Sequence, residues 1–513
     1  MNRKRLLGAA ALGLAALLSV PVPVGAVDRA LHLDEAIRLA LQNNERILSE
    51  RAAHVGAEAD LTSAKGAYDP LIEADALWEE VTRPVNSSFS GTNTGGFPTD
   101  RSFGGDLSIR QLLPTGGQLE LRSRTGRVNT DATFVLLSPA YDTQLGIELR
   151  QPLLRNLGSD RARLAKHVAQ SDLRRAEASL KTVVTETMAE VEDAYWDLVA
   201  ARLNVGVLNE AVDLAQEQLR ETRSRVESGA APQTEPAQPQ AELERRRGEW
   251  LAAQEALSRA ENGLKVLILS ETDSLWSVLL VPAEVVPPVV APVDTAARAA
   301  EALSQRPEVR AAQSAVERRH AERSFAHSQT LPSLDAMVSY DRFGLAGTRT
   351  STPTNTPGLE GDLGDAWSGL GNGDFNDTRI GVVIGYPLGN RAARGASSRA
   401  ESNERQAMSD LVRVRKEIRA EVLDAAAALE TTGQRIEAAR AAREAAEVQL
   451  TSERDRYAVG LSTNFLVLTR QNDLSRARLD EISAQTDYRV ASTEMARATG
   501  SLLEDHYIEW TQP

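Results

Sequence analysis

The sequence predicts a mainly α-helical protein with a smaller portion of barrel-type β-strands, built twice over from one unit. Three observations predict it. The first is residues 160–229, which lack proline and hold one internal glycine, Gly206, among good helix formers. The 69 residues 160–228 would span roughly 100 Å as one helix. Their apolar seam is narrow: Val205, Leu208, Val212, Ala215, Leu219, Thr222 and Val226 alternate steps of three and four, the a/d repeat of a coiled coil. The second is recurrence. Residues 394–459 form another proline-free run, and Arg223-Ser224-Arg225 before Gly229 matches Arg454-Asp455-Arg456 before Gly460, a shift of 231. The third is a change of period to two in a short segment of each half.

Taken in order, residues 1–26 have a secretory signal's form. Arg3, Lys4 and Arg5 precede a short apolar run, and Val24-Gly25-Ala26 offers a small-residue cleavage site. Residues 27–69 read as a helix, with Asp34 and Glu35 near its start. Residues 70–152 carry the strands and an outer loop. Ile72, Ala74, Ala76 and Trp78 alternate with Glu73, Asp75 and Glu79, and Leu145, Ile147 and Leu149 form a return strand. Between them, Leu107–Ile109 and Leu119–Leu121 flank Leu113-Pro114-Thr115-Gly116-Gly117, a hairpin signal. Whether that hairpin crosses a membrane or caps it is open from sequence. Residues 153–269 hold the coiled-coil helices, reversing near Gly229.

Residues 270–293, with Pro282, Pro287, Pro288 and Pro292, read as a linker. The second half follows: a helix over 294–331, strands and a long loop over 332–388, coiled-coil helices over 389–500 reversing near Gly460, and a tail over 501–513. Leu334, Ala336, Val338 and Tyr340 match the first alternating strand at a shift of 262, and Ile380, Val382 and Ile384 form the return strand. The hairpin has no counterpart here. The count is therefore two clear strands per half.

Composition narrows the function classes. A net charge of −14 argues against a nucleic-acid partner. Without cysteine there are no disulfides, thiolate metal sites or lipidated N-terminus. Aromatics at 4% suit thin helical layers rather than a thick core. His320 and His327 lack a third ligand nearby, residues 369–377 lack a calcium loop's spacing, and no P-loop or dinucleotide fingerprint occurs. No cofactor, metal or catalytic residue is expected.

The alternating strands are long enough to cross a bilayer when tilted. Trp78 and Tyr340 suit an interfacial belt. Four strands cannot close a barrel, and an open edge in lipid leaves backbone groups unpaired, so the chain must oligomerise. In Leu33-Asp34-Glu35-Ala36, Tyr68-Asp69-Pro70, Gln151-Pro152-Leu153, the two Arg-x-Arg-x-x-x-Gly turns and the recurrence itself, the chain resembles the TolC-type outer-membrane efflux proteins over nearly its whole length. The resemblance implies a fold that is mainly α with a membrane β-barrel portion. Long antiparallel coiled-coil helices would form a periplasmic α-barrel, and a homotrimer would share a twelve-stranded outer-membrane β-barrel. It further implies a passive export channel in outer-membrane lipid, with a periplasmic adaptor and an inner-membrane transporter as partners.

It also implies sites. Arg223, Arg225, Gly229, Arg454, Arg456, Gly460 and Leu461 fall on adaptor-docking turns. Tyr457 and Glu235 fall on the family's gate tyrosine and its acidic partner, with seam packing as the plain alternative for Tyr457. Ser462, Leu466 and Thr469 replace charged gate residues, and Pro236 and Pro239 are expected to delay or kink the returning helix. Ile72, Ala74, Ala76, Trp78, Leu334, Ala336, Val338 and Tyr340 are expected to face lipid. Other readings are type I protein secretion through the same duct, a secreted coiled-coil structural protein, which would lack alternating strands, and an outer-membrane enzyme, which would need a catalytic cluster.

Overall fold

The computed structural model describes residues 28–508, apart from 87–90, 93–95, 231, 285–287, 289–293 and 352–357. The expected signal segment, 1–26, lies outside the described residues. In chain order the elements are β1 Asp28–Leu31, α1 Leu33–Asn43, α2 Glu45–Lys65, β2 Leu71–Thr82, β3 Thr99–Leu112, β4 Gln118–Thr130, β5 Leu137–Pro152, α3 Arg161–Glu227, α4 Ala237–Ile268 and β6 Leu279–Pro282. Then come α5 Thr295–Gln305, α6 Pro307–Ser328, β7 Ser333–Arg349, α7 Leu363–Asn372, β8 Asn376–Gly385, α8 Arg391–Ala458, α9 Asn464–Thr499 and α10 Leu502–Asp505. None of the described helices is apolar enough to cross a membrane. Two compact units share these elements. One comprises the described parts of Met1–Asn44, Met188–Val290 and Thr431–Thr493; the other comprises those of Glu45–Thr187, Ala291–Glu430 and Glu494–Pro513.

In the first unit the seam positions pack as thin layers. Ala215, Leu219 and Leu243 form one buried cluster; Ala446, Leu450, Val467 and Leu474 form another. Ala446, Leu450 and Leu474 are the first cluster's positions moved by 231. The segment read as a linker holds a short strand that the sequence did not show. Its residues Leu279–Pro282 pair in parallel with Asp28–Leu31. Four residues with prolines nearby carry too little periodicity to be read as a strand.

The two N-terminal helical segments are each broken once. Arg306 is extended (φ −64°, ψ 126°) because Pro307 follows it and opens α6 at its first position. The break before Glu45 has no proline. There Asn44 is extended, and its side-chain amide donates to the Leu267 carbonyl at 3.1 Å.

The second unit holds one antiparallel sheet, ordered β2-β3-β4-β5-β7-β8. This corrects the strand count. The hairpin is not an appendage: β3 and β4 lie between β2 and β5, in register with both. The sequence signals the hairpin but leaves its height open. Gly105, Ser123 and Thr125 occupy positions on the apolar face, so β3 and β4 show the alternation only near the turn. The second loop also holds an unforeseen helix, α7. Asp362 caps it reciprocally with Asp365, and Gly373 ends it at φ +76°.

Candidate functional site

Two places carry the candidate residues: the reversals of the long helices, and the faces of the sheet.

Both reversals are Schellman turns. The Ala230 N–H donates to the Arg225 carbonyl and the Gly229 N–H to that of Val226; Leu461 and Gly460 repeat this on Arg456 and Tyr457. Gly229 and Gly460 sit at φ +74° and +76° with open space around them. The left-handed backbone, not crowding, is what demands glycine there. The return is asymmetric. α9 starts at Asn464, four residues after its glycine, whereas α4 starts at Ala237, eight after its own. Pro236 caps α4 and Pro239 sits in its first turn, where a missing N–H costs nothing. The prolines thus delay the helix rather than kink it.

Side chains join the two reversals. Nη1 of Arg225 donates to the Tyr457 hydroxyl at 2.5 Å, with the guanidinium 5.4 Å from the ring centroid. Tyr457 also packs on the cluster around Leu450 and Val467. The tyrosine thus makes one polar link and packs in the seam. Its partner within the chain is Arg225, however. Glu235 is exposed, and no bond joins it to Tyr457 in one chain. Deeper in, the Gln218 amide donates to the Asn464 side chain at 2.7 Å, both residues being buried.

Of the other turn residues, Arg223 donates to Gln240 at 2.8 Å, tying α3 to α4. Arg454 and Arg456 are exposed. Leu461 is 73% exposed, beside the exposed Val459 and Phe465. Ser462 donates to Glu453. Sequence reasoning missed Gln218 and Asn464, and it placed Arg225 only at a docking turn. The 231-residue shift held the signal: it sets Arg225 against Arg456 and Val226 against Tyr457, adjacent positions at like turns.

On the sheet, register sorts every strand residue to a face. Ile72, Ile109, Leu121, Ile147 and Tyr340 form one row across five strands. Gln111, Leu119, Leu149, Val338 and Ile380 form a second. Toward the loops, Trp78, Phe103, Arg127 and Tyr141 share the same face. By register, the eight strand residues expected to face lipid lie on one face of the sheet. That face is open: Ile72 is 64% exposed and Ile380 81%. The opposite face is polar and more crowded, with Ser339 and Asp341 buried. Charges alternate across it. Arg110 bonds Glu73 at 2.8 Å and lies 3.5 Å from Glu120, and Arg122 bonds Glu148 at 3.3 Å. At the loop end α7 rests on the apolar face, where Thr143 donates to the Ala366 carbonyl at 3.0 Å. Any side chain at Gly344 would strike that carbonyl.

A third cluster, unforeseen in the sequence, pins β1 and β6. The Tyr195 hydroxyl donates to the Glu284 carboxylate and accepts from the Ala283 N–H at 3.2 Å. His32 and the Leu33 N–H reach the same carboxylate at 3.0 and 3.2 Å. Burial alone would raise the Glu284 carboxyl, but these hydrogen bonds outweigh it and hold it below the ordinary range.

The fold is similar to that of solved structures. The chain is 18% identical to the Campylobacter jejuni CmeC outer membrane channel, covering 92% of this chain and 86% of that one, with a TM-score of 0.61. Vibrio cholerae VceC, an outer membrane protein, gives 18%, coverages of 91% and 96%, and 0.63. In sequence, the outer membrane efflux protein BepC of Brucella suis is 23% identical over 376 residues, 72% of this chain and 75% of BepC. The profile described as outer membrane efflux protein matches residues 118–268 and 299–501, and the chain belongs to that family.

Proposed function

We propose that the chain is the exit duct of a tripartite export system. As a member of the outer membrane efflux family it is an outer-membrane channel protein. The finer reading is that three copies assemble. Their sheets would close one barrel in lipid, and their helical turns would dock a periplasmic adaptor that links them to an inner-membrane transporter. No catalytic step is assigned to the chain; energy comes from the transporter.

The observation that carries this is the sheet. One face holds apolar rows across its strands, the other an alternating charge ladder, and among the described residues the outer edges of β2 and β8 have no partner strand. An apolar band outside and a polar lining inside is the requirement of a water-filled barrel in lipid. Two free edges cannot persist in hydrocarbon, since each unpaired N–H or C=O costs several kcal/mol. Other copies must cover them. The eight lipid-face residues then meet acyl chains, and the exposed Leu461, Val459 and Phe465 with Arg454 and Arg456 offer the adaptor an apolar and basic contact.

The test is crosslinking in native outer membranes together with planar-bilayer recording of the purified protein. Trimers and discrete conductance steps are expected. Monomers only, without conductance, would remove the duct reading.

A further inference from the structure

Two strands more per chain than four change the barrel. β3 has 14 residues and β4 has 13. Each exceeds the about 9–11 residues that cross a bilayer when tilted. Their connecting turn stands at the end of the sheet where β5 finishes: the Thr115 hydroxyl donates to Gln151 at 2.7 Å. The hairpin therefore runs the full height of the sheet. It also continues both faces. Leu107 and Ile109 extend the apolar rows from Ala74 and Ile72, while Arg110 and Arg122 carry the charge ladder from Glu73 to Glu148. A hairpin that only capped the outside would need neither.

We propose that this chain builds an eighteen-stranded barrel, six strands from each of three copies, and so a wide outer-membrane outlet. The count rests on the trimer of the preceding section; the six-stranded wall does not. Six antiparallel strands leave β2 and β8 running oppositely, so β8 of one copy meets β2 of the next in antiparallel fashion. With strands about 4.8 Å apart and tilted about 40°, the wall diameter is about 36 Å, against about 24 Å for twelve strands. Barrels of this strand number enclose an aqueous channel. Solutes and extended polymers too bulky to enter a twelve-stranded barrel from outside can enter this one.

The absence of cysteine makes each introduced thiol unique. In native outer membranes, Leu107→Cys and Leu121→Cys should react only with a lipid-soluble maleimide, and Ser108→Cys and Arg122→Cys with a water-soluble one. Ser108 and Arg122 are directly opposed, so the double variant Ser108→Cys/Arg122→Cys should oxidise within one chain. In planar bilayers, poly(ethylene glycol) added from the extracellular side should enter the parent at widths about 1.5 times those admitted after deletion of residues 99–130. Ready labelling of Leu107→Cys and Leu121→Cys by the water-soluble reagent overturns the wall. So does an unchanged cut-off in a deletion variant that still forms trimers. A parent that crosslinks to another copy number, with labelling as expected, overturns the count of eighteen together with the trimer, but not the six-stranded wall.

Discussion

Glu284 shows how much one side chain can organise. Four groups converge on it or beside it: Tyr195 from α3, His32 and Leu33 from the start of α1, and its own neighbour Ala283. It thereby fastens the short β1–β6 pair to the long helix. Because its carboxyl is held below the ordinary range, the sign of its pH effect is fixed. The stabilisation is present above the unfolded-state value and is lost as pH falls through the folded one. The thermal midpoint of the detergent-solubilised protein, followed by helical circular dichroism, should fall as pH drops from about 5 to about 3. Glu284→Gln should lower the midpoint at neutral pH and flatten that acid limb. An acid limb of unchanged steepness in Glu284→Gln would assign it to other carboxylates. Nothing in the sequence pointed to this cluster. Its members stand up to 252 residues apart, and a lone Tyr, His and Glu carry no spacing that a pattern could reveal.

At the scale of elements, legibility followed periodicity. β2 and β7 were readable because every second residue from Ile72 to Trp78 and from Leu334 to Tyr340 is apolar, although Leu77 and Met337 are apolar residues between them. The long helices were readable because a three-four seam over many turns leaves no other explanation. β3 and β4 were half readable. Their apolar residues cluster at the turn end, and glycines and serines fill the rest, where neighbouring strands supply the pairing that the pattern does not announce. α7 was missed although Asp362 and Asp365 carry a capping signature, because a ten-residue helix among Gly and Asp shows little period. Register now extends the lipid-face prediction to the new strands. Leu107→Lys or Leu121→Lys should lower trimer yield in the outer membrane about as much as Ile72→Lys or Val338→Asp. A basic charge at mid-bilayer costs about 2–4 kcal/mol, and acidic ones less. Asp75→Asn, on the polar face, should assemble normally. Normal trimer yield from Leu107→Lys, measured on unheated gels, would put that face toward water.

At the scale of the whole molecule, the duct proposed above would have to stay shut until its partners arrive, and the candidates for that are the links between reversals. Arg225 holds Tyr457 in two ways, by a hydrogen bond and by standing over its ring, and Gln218 holds Asn464 in a buried layer above. A hydrogen bond to a charged donor is worth about 1.5–3 kcal/mol, and an exposed cation–π contact about 0.5–1 kcal/mol. In a trimer each recurs three times, so the sum is large enough to hold a closed state and small enough for a docked partner to overcome. The expected ranking follows from what each substitution removes. Tyr457→Phe deletes the hydroxyl but keeps the ring under the guanidinium. Arg225→Leu deletes both contacts. Planar-bilayer conductance should therefore rise modestly in Tyr457→Phe and more in Arg225→Leu, with trimer yield unchanged in both. Glu235→Gln adds a further test. It leaves no intrachain bond to lose, so it should raise conductance only if a neighbouring copy supplies its partner. If seam packing is the whole role of Tyr457, the order inverts: Tyr457→Phe and Arg225→Leu conduct like the parent, and Tyr457→Ala loses trimers, because the ring then matters only as a wedge against Leu450 and Val467.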